Sequence, residues 1–233
     1  MYLDPTFIVI IPALIFTIIA QAKVKSAYKR YSRLNTVQNC TGAEAARRML
    51  NQNGLQDVSI DIVKGTLTDH YNPRKRSISL SQDVYNGTSI ASVSIAAHEA
   101  GHAVQHAKKY VPLKVRGVLN PIASFGSKAA WILLIAGFFI AVAVSYDLGY
   151  MLVFFGIIGY ALAVVFQAVT LPVEFNASKR ALAAIVDYGI VQGDEEWAAK
   201  RMLSAAALTY VAALATSVAT LLRLLLIVAR SRR

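Results

Sequence analysis

Four stretches of this chain carry no charged side chain: Pro5–Ala22, Ala129–Tyr146, Leu148–Val173 and Met202–Leu222. Nothing else in the sequence restricts the fold as severely. Each stretch is close to the roughly 20 residues that an α-helix needs to cross the hydrocarbon core of a bilayer. They are apolar on every face, so they do not read as helices with one side turned to a soluble core. Charged residues are 16% of the chain, against roughly 25% in ordinary soluble domains. The expected fold class is an α-helical membrane protein with about four transmembrane helices and a small α+β domain.

The formal net charge is +11, and its location decides what it means. Of 24 Lys and Arg, 16 lie between Lys23 and Lys128, beside the apolar runs. "KVKSAYKRYSR" follows the first run directly. That is the pattern of segments held at an anionic cytoplasmic face, so the bilayer, and not nucleic acid, is the expected partner of the positive charge. Cys40 is the only cysteine, which excludes an intramolecular disulfide and fits a reducing compartment. "AQA" at 20–22 looks like a signal-peptidase site. However, Lys and Arg are absent before the first run and Asp4 is present, so an uncleaved anchor is the expectation.

The parts then follow as a transmembrane helix at 5–22, a cytoplasmic segment at 23–128, a transmembrane hairpin at 129–173 and a helical segment at 174–201. A last transmembrane or membrane-associated helix covers 202–229. Within 23–128, "TGAEAARRML" reads as a helix opened by a capping box, Thr41 with Glu44, and Gly54 is placed to end it. Residues 58–67 and 76–81 have β character, with turn residues between them, and are expected to pair as a hairpin. A helix is expected from about Ser89 to about Lys108. Pro112, Gly117 and Pro121 should interrupt what comes next.

The chemistry sits on the 89–108 helix. His98-Glu99-Ala100-Gly101-His102 is H-E-x-x-H. Residues four apart share a helix face, so both imidazoles can face one metal ion. Glu99 falls beside that ion, where it can take a proton from a water there. As structural residues, two histidines and a carboxylate on an apolar helix would each be costly to desolvate without a partner. A cation supplies one.

A hydrolytic zinc site takes three protein ligands and keeps one position open. His106 is not the third, because two turns beyond His98 it has drifted about 80° around the helix. Among the downstream acids, Asp147 is in a short loop and residues 194–196 form a solvated cluster. Glu174 directly follows the long apolar run, at the face where the basic segment should lie. It is the expected third ligand, with Asp187 as the alternative and helix capping as the plain role of either.

Three motifs together, "LTDHYNPRKRSISLS", "SIAAHEAGHAVQH" and "LPVEFNASKRAL", resemble the bacterial neutral zinc membrane metallopeptidase family of the YugP type. The resemblance covers nearly the whole chain, apolar runs included. It implies a gluzincin-like, zincin-type catalytic domain with one Zn2+ held by His98, His102 and Glu174. More distantly, the order of parts is similar to the membrane CAAX-type proteases. In those, an Asp four residues after the ligand Glu supports a histidine. Here that position is Ser178, and Asn176 or Asp187 is the expected substitute.

The reading is a membrane-embedded zinc metalloendopeptidase acting on a peptide or protein substrate, with Glu99 as general base. The 76–81 strand is expected to hold that substrate by edge pairing, and His70 or Tyr71 to stabilise the oxyanion. The rivals are a non-enzymatic membrane adaptor or chaperone with a retained zinc site, and a zinc hydrolase of a non-peptide bond. Topology carries a conflict. With residues 1–5 outside and 23–128 inside, a fourth crossing places Arg230, Arg232 and Arg233 outside, against the positive-inside rule. Either the last helix does not span or the tail departs from the bias.

Overall fold

A computed structural model describes residues 5–231. A 3-10 turn, Pro5–Val9, leads into α1 (Ile11–Tyr31). There follow α2 (Gly42–Gln52), β1 (Ser59–Val63), β2 (His70–Asn72), β3 (Ser77–Ser81), α3 (Gln82–Asn86) and α4 (Ile90–Ala107). Three long helices complete the chain: α5 (Val111–Ala143), α6 (Tyr146–Asp187) and α7 (Asp194–Ser231). Pro5–Tyr31, α5, α6 and Asp194–Arg230 are long and apolar enough to cross a membrane. At most 17% of the most apolar window of any of them is buried, which excludes helices sunk in a soluble core. The molecule is an α-helical membrane protein with a small mixed sheet.

The chain divides into two compact units. One is drawn from the described parts of 1–19, 114–171 and 210–233, the other from 20–113 and 172–209. In the first, α5 and α6 pack through glycine. A Cβ on Gly137 would stand 2.8 Å from the Gly149 carbonyl oxygen and 2.9 Å from the Val153 nitrogen. Small residues let backbones meet this closely in lipid, where van der Waals contact must replace the missing hydrophobic drive. The connection between these helices is very short: α5 ends at Ala143 and α6 begins at Tyr146, so Asp147, expected in a loop, lies in the first turn of α6.

In the same unit α7 runs beside α1. Thr216 and Thr17 share a hydrogen bond of 2.9 Å. Arg223 stacks 3.7 Å above the centre of the Phe7 ring, and its Nε donates to Thr6 Oγ1 at 3.3 Å. The end of α7 thus returns to the level of the start of the chain. Of the two alternatives for the last helix, this favours one that spans.

The second unit has its own core. Met49 and Leu50 of α2, Ile78 and Leu80 of β3, Val84 of α3, Val93 and Ala97 of α4, and Ile185 of α6 are all buried in one cluster. Truncating one such leucine costs about 2–5 kcal/mol. The expected capping box forms: Glu44 N donates to Thr41 Oγ1 at 3.2 Å, and Thr41 N to Glu44 Oε2 at 2.8 Å. Such a cap contributes about 1 kcal/mol. Gly54, at φ +71°, lies just beyond the helix.

The sheet differs from the expected hairpin of 58–67 with 76–81. Its order is β1-β3-β2. β1 runs parallel to β3, Ser59 opposite Ser77, and two strands joined directly by a tight turn cannot be parallel. The hairpin is β2 with β3, Tyr71 opposite Ile78. The residues read as a turn contain β2 itself. The turn proper is closed by Asn72, whose Oδ1 accepts from the nitrogens of Arg74 and Lys75 at 3.0 and 3.1 Å. Because β3 is central, it has no free edge, and the expected pairing of a substrate along 76–81 is ruled out. The interruption expected after the 89–108 helix is also absent. Pro112 sits in the first turn of α5, where its missing N–H costs nothing, and Gly117 and Pro121 lie within that helix.

Candidate metal centre

Helix α4 opens at Ser89, whose Oγ accepts from Ser92 N at 3.1 Å. Its small residues, among them Ala96, Ala97 and Ala100, are buried and let neighbouring elements approach. Closest is α6. A Cβ on Gly101 would stand 2.8 Å from the carbonyl oxygen of Ala177. That approach, between the two histidines of the motif, lays the 174–180 turns of α6 against the histidine face of α4.

Three side chains meet there. His98 Nε2 lies 3.3 Å from Glu174 Oε2, and His102 Nε2 lies 3.6 Å from the same oxygen. The imidazoles stand edge to face, their centres 4.8 Å apart and their planes at 87°. Glu174 is 2% exposed. Among the described residues, His98, His102 and Glu174 are the group able to hold a metal ion, one ligand atom from each lying within 4.8 Å of the others. His106 and Asp187 lie outside it. Asp187 is the last residue of α6, about 20 Å along the helix axis from Glu174. Glu99, 9% exposed, is near enough for its charge to act on His102.

Each histidine is also gripped from behind. His98 Nδ1 faces Ser178 Oγ at 3.2 Å. His102 Nδ1 faces Gln105 Oε1 at 3.0 Å. So Ser178 itself, not a substitute at Asn176 or Asp187, contacts the His98 ring, and Asn176 enters only through Gln105. Of the two residues expected beside the substrate, His70 points its Nδ1 at its own loop, 2.9 Å from the Thr68 carbonyl. Tyr71 instead reaches α4, its hydroxyl 2.9 Å from His106 Nδ1.

The family model described as "Putative neutral zinc metallopeptidase" matches residues 6–229. The chain belongs to this family. It is similar to the "Putative membrane protease YugP" of Bacillus subtilis (strain 168), with 46% identity over 213 residues. The match covers 91% of this chain and 92% of that protein. No solved structure matches the chain.

The zinc that the family's name implies can be tested against the residues present. Two imidazole nitrogens and a carboxylate oxygen are the donor set of hydrolytic zinc sites. With bonds of about 2.1 Å at tetrahedral angles, such atoms stand about 3.4 Å apart; Glu174 Oε2 lies 3.3 and 3.6 Å from the two histidines, and the three atoms all lie within 4.8 Å of one another. The electrostatics agree. Burial alone would depress the His102 imidazole, but its hydrogen bond with Glu174 and the charges of Glu99 and Glu174 more than offset this and raise it. The cluster draws in positive charge, which a divalent cation supplies. The residues fit zinc.

Sequence reasoning missed Gln105 and passed over Ser178. Gln105 lies three residues after His102, on the same helix face, and that spacing was the available signal. Ser178 looked like a departure because a serine replaces a carboxylate, yet a hydroxyl in that place still meets the ring.

Proposed function

We propose that this chain is a membrane-embedded zinc endopeptidase whose site lies on the cytoplasmic side. The observation that carries the reading is the convergence of His98, His102 and Glu174, with Glu99 next to the first of them. When bound, zinc supplies Lewis acidity, polarising a carbonyl and acidifying a nearby water.

The chain's own residues do the rest. His98 and His102 present their Nε2 atoms while Ser178 and Gln105 hold the opposite ring edges. Glu174 contributes the negative charge. Glu99 accepts the proton of the attacking water and delivers it to the leaving amine. A peptide bound by main-chain pairing requires a free strand edge, and β2, which packs against α4, has one on the side away from β3. Both candidates lie on β2, and Tyr71, whose hydroxyl reaches α4 while His70 faces its own loop, is the one assigned to hydrogen-bond the scissile carbonyl.

Glu99→Gln tests the reading. The amide is nearly isosteric but cannot take the proton. Purified protein in detergent should keep its zinc and lose cleavage of an unfolded protein substrate, by a factor on the order of 10²–10⁴. Full activity in Glu99→Gln would refute the mechanism. A wild-type chain that binds zinc and cleaves nothing would favour the adaptor reading.

A further inference from the structure

We propose that Gln105 is a positioning residue for metal binding, and that its amide is locked in one orientation by α6. The inference needs zinc at the triad but not peptide cleavage, so it survives if the peptidase reading fails.

The argument follows hydrogen-bond direction. Gln105 is 0% exposed, and no water competes for its amide. Three protein groups surround it. Its Nε2 lies 2.8 Å from the Val173 carbonyl oxygen and 3.0 Å from Asn176 Oδ1, and its Oε1 lies 3.0 Å from His102 Nδ1. An amide has two N–H donors and one acceptor oxygen, and here each is used.

Orientation is fixed at both far ends. The Val173 carbonyl can only accept, so the Gln105 atom facing it is the nitrogen. Arg180 can only donate, and its Nε stands 2.7 Å from Asn176 Oδ1. The Asn176 atom in that position is therefore the oxygen, which again demands a donor from Gln105. Turning the Gln105 amide over would set oxygen against oxygen at Val173. It would also force Asn176 to turn its NH2 group on Arg180. A flip thus breaks three hydrogen bonds, not one.

With the nitrogen committed to α6, only Oε1 is left for His102. An amide oxygen accepts and never donates, so His102 must carry a proton on Nδ1. In the neutral imidazole that leaves the lone pair on Nε2, the atom that faces Glu174. The wrong tautomer would put a hydrogen where the metal must sit. Val173, Asn176 and Arg180 all lie on the helix of Glu174, so the element that brings the carboxylate also selects the binding form of His102. His98 has no such lock, because the Ser178 hydroxyl facing it can donate or accept.

The test uses full-length protein labelled with 15N-histidine. Only 4 histidines are present, so each ring signal can be assigned. Zinc affinity is measured by chelator competition, and the zinc-loaded protein is examined for ring Nδ1–H signals. In Gln105→Leu, zinc affinity should fall by about 10–100-fold, as for other groups that orient a ligand. The His102 Nδ1–H signal should be lost to exchange while the His98 signal stays. In Asn176→Asp, which keeps acceptor oxygens towards both Gln105 and Arg180, affinity and both signals should remain near wild type. The proposal is overturned if Gln105→Leu leaves zinc affinity or the His102 signal unchanged. It is equally overturned if both histidine signals vanish together, the mark of a packing role, or if Asn176→Asp is as damaging as Gln105→Leu. Wild-type protein without zinc at the triad would instead appear in the first titration, before any variant is compared.

Discussion

Glu174 follows directly on a stretch of 26 uncharged residues, Leu148–Val173, and is 2% exposed. A carboxylate so placed must be neutralised or paired, since burying an isolated one costs many kcal/mol. Zinc with two neutral imidazoles has the complementary need for an anionic ligand. Glu174→Ala should therefore lower zinc affinity by orders of magnitude. His106→Ala should leave it nearly intact, because that ring is turned to Tyr71. Chelator competition on the two variants side by side checks this, and zinc retained in Glu174→Ala but lost in His106→Ala would reverse the assignment. At this scale much was legible in advance. The i, i+4 spacing of His98 and His102 is local, and so few acids follow them that the third partner could be sought by elimination. The Gln105 contact was not legible. An amide acquires direction only from what surrounds it, and its surroundings are residues 173–180.

The same difference between local and distant contacts separates the elements read correctly from those misread. The α2 cap and the extent of α4 were visible because their signals lie within a few residues of where they act. The sheet was not. β2 is three residues long, too short for alternation to declare it, and a parallel pairing of β1 with β3 leaves no mark in either strand. β3 is buried at Ser77, Ile78, Leu80 and Ser81, as a central strand is, whereas its alternating sequence suggested an edge. The approach of α4 to α6 at Gly101 belongs to this scale too. Gly101→Ala adds a methyl group 2.8 Å from a backbone oxygen, and backbone cannot swing aside as a side chain can. It should cost about 1–3 kcal/mol, read as a lower midpoint of thermal unfolding. Zinc affinity should drop with it, since both sides of the site are carried by the two helices being pushed apart. An unchanged midpoint and affinity would mean that the helices do not meet as closely as described.

For the molecule as a whole, the distribution of positive charge argues that 23–128 faces the cytoplasm. The three arginines Arg230, Arg232 and Arg233 do not outweigh the 16 Lys and Arg of that segment. Two single-cysteine chains decide the matter in a Cys40→Ser background. In intact cells, Lys108→Cys should be shielded from a membrane-impermeant thiol reagent, and Ser145→Cys, in the α5–α6 connection, should react. The opposite pattern would put the site outside. The four spanning candidates were legible at once, because apolar length is a property of consecutive residues. The pairing of α7 with α1 through Thr17, Thr216, Phe7 and Arg223 was not, since it joins the two ends of the chain.

The 71 residues between His102 and Glu174 also set an order of events during synthesis. The histidines leave the ribosome first, as a pair able to hold metal only loosely. The glutamate follows only after α5 and the apolar run of α6 that precedes it have been made. At about 5–20 residues per second, several seconds pass in which the chain holds two of its three candidate ligands. A metal site divided in this way stays incomplete while the chain is being made, and is closed only once its middle has been threaded through the bilayer and back.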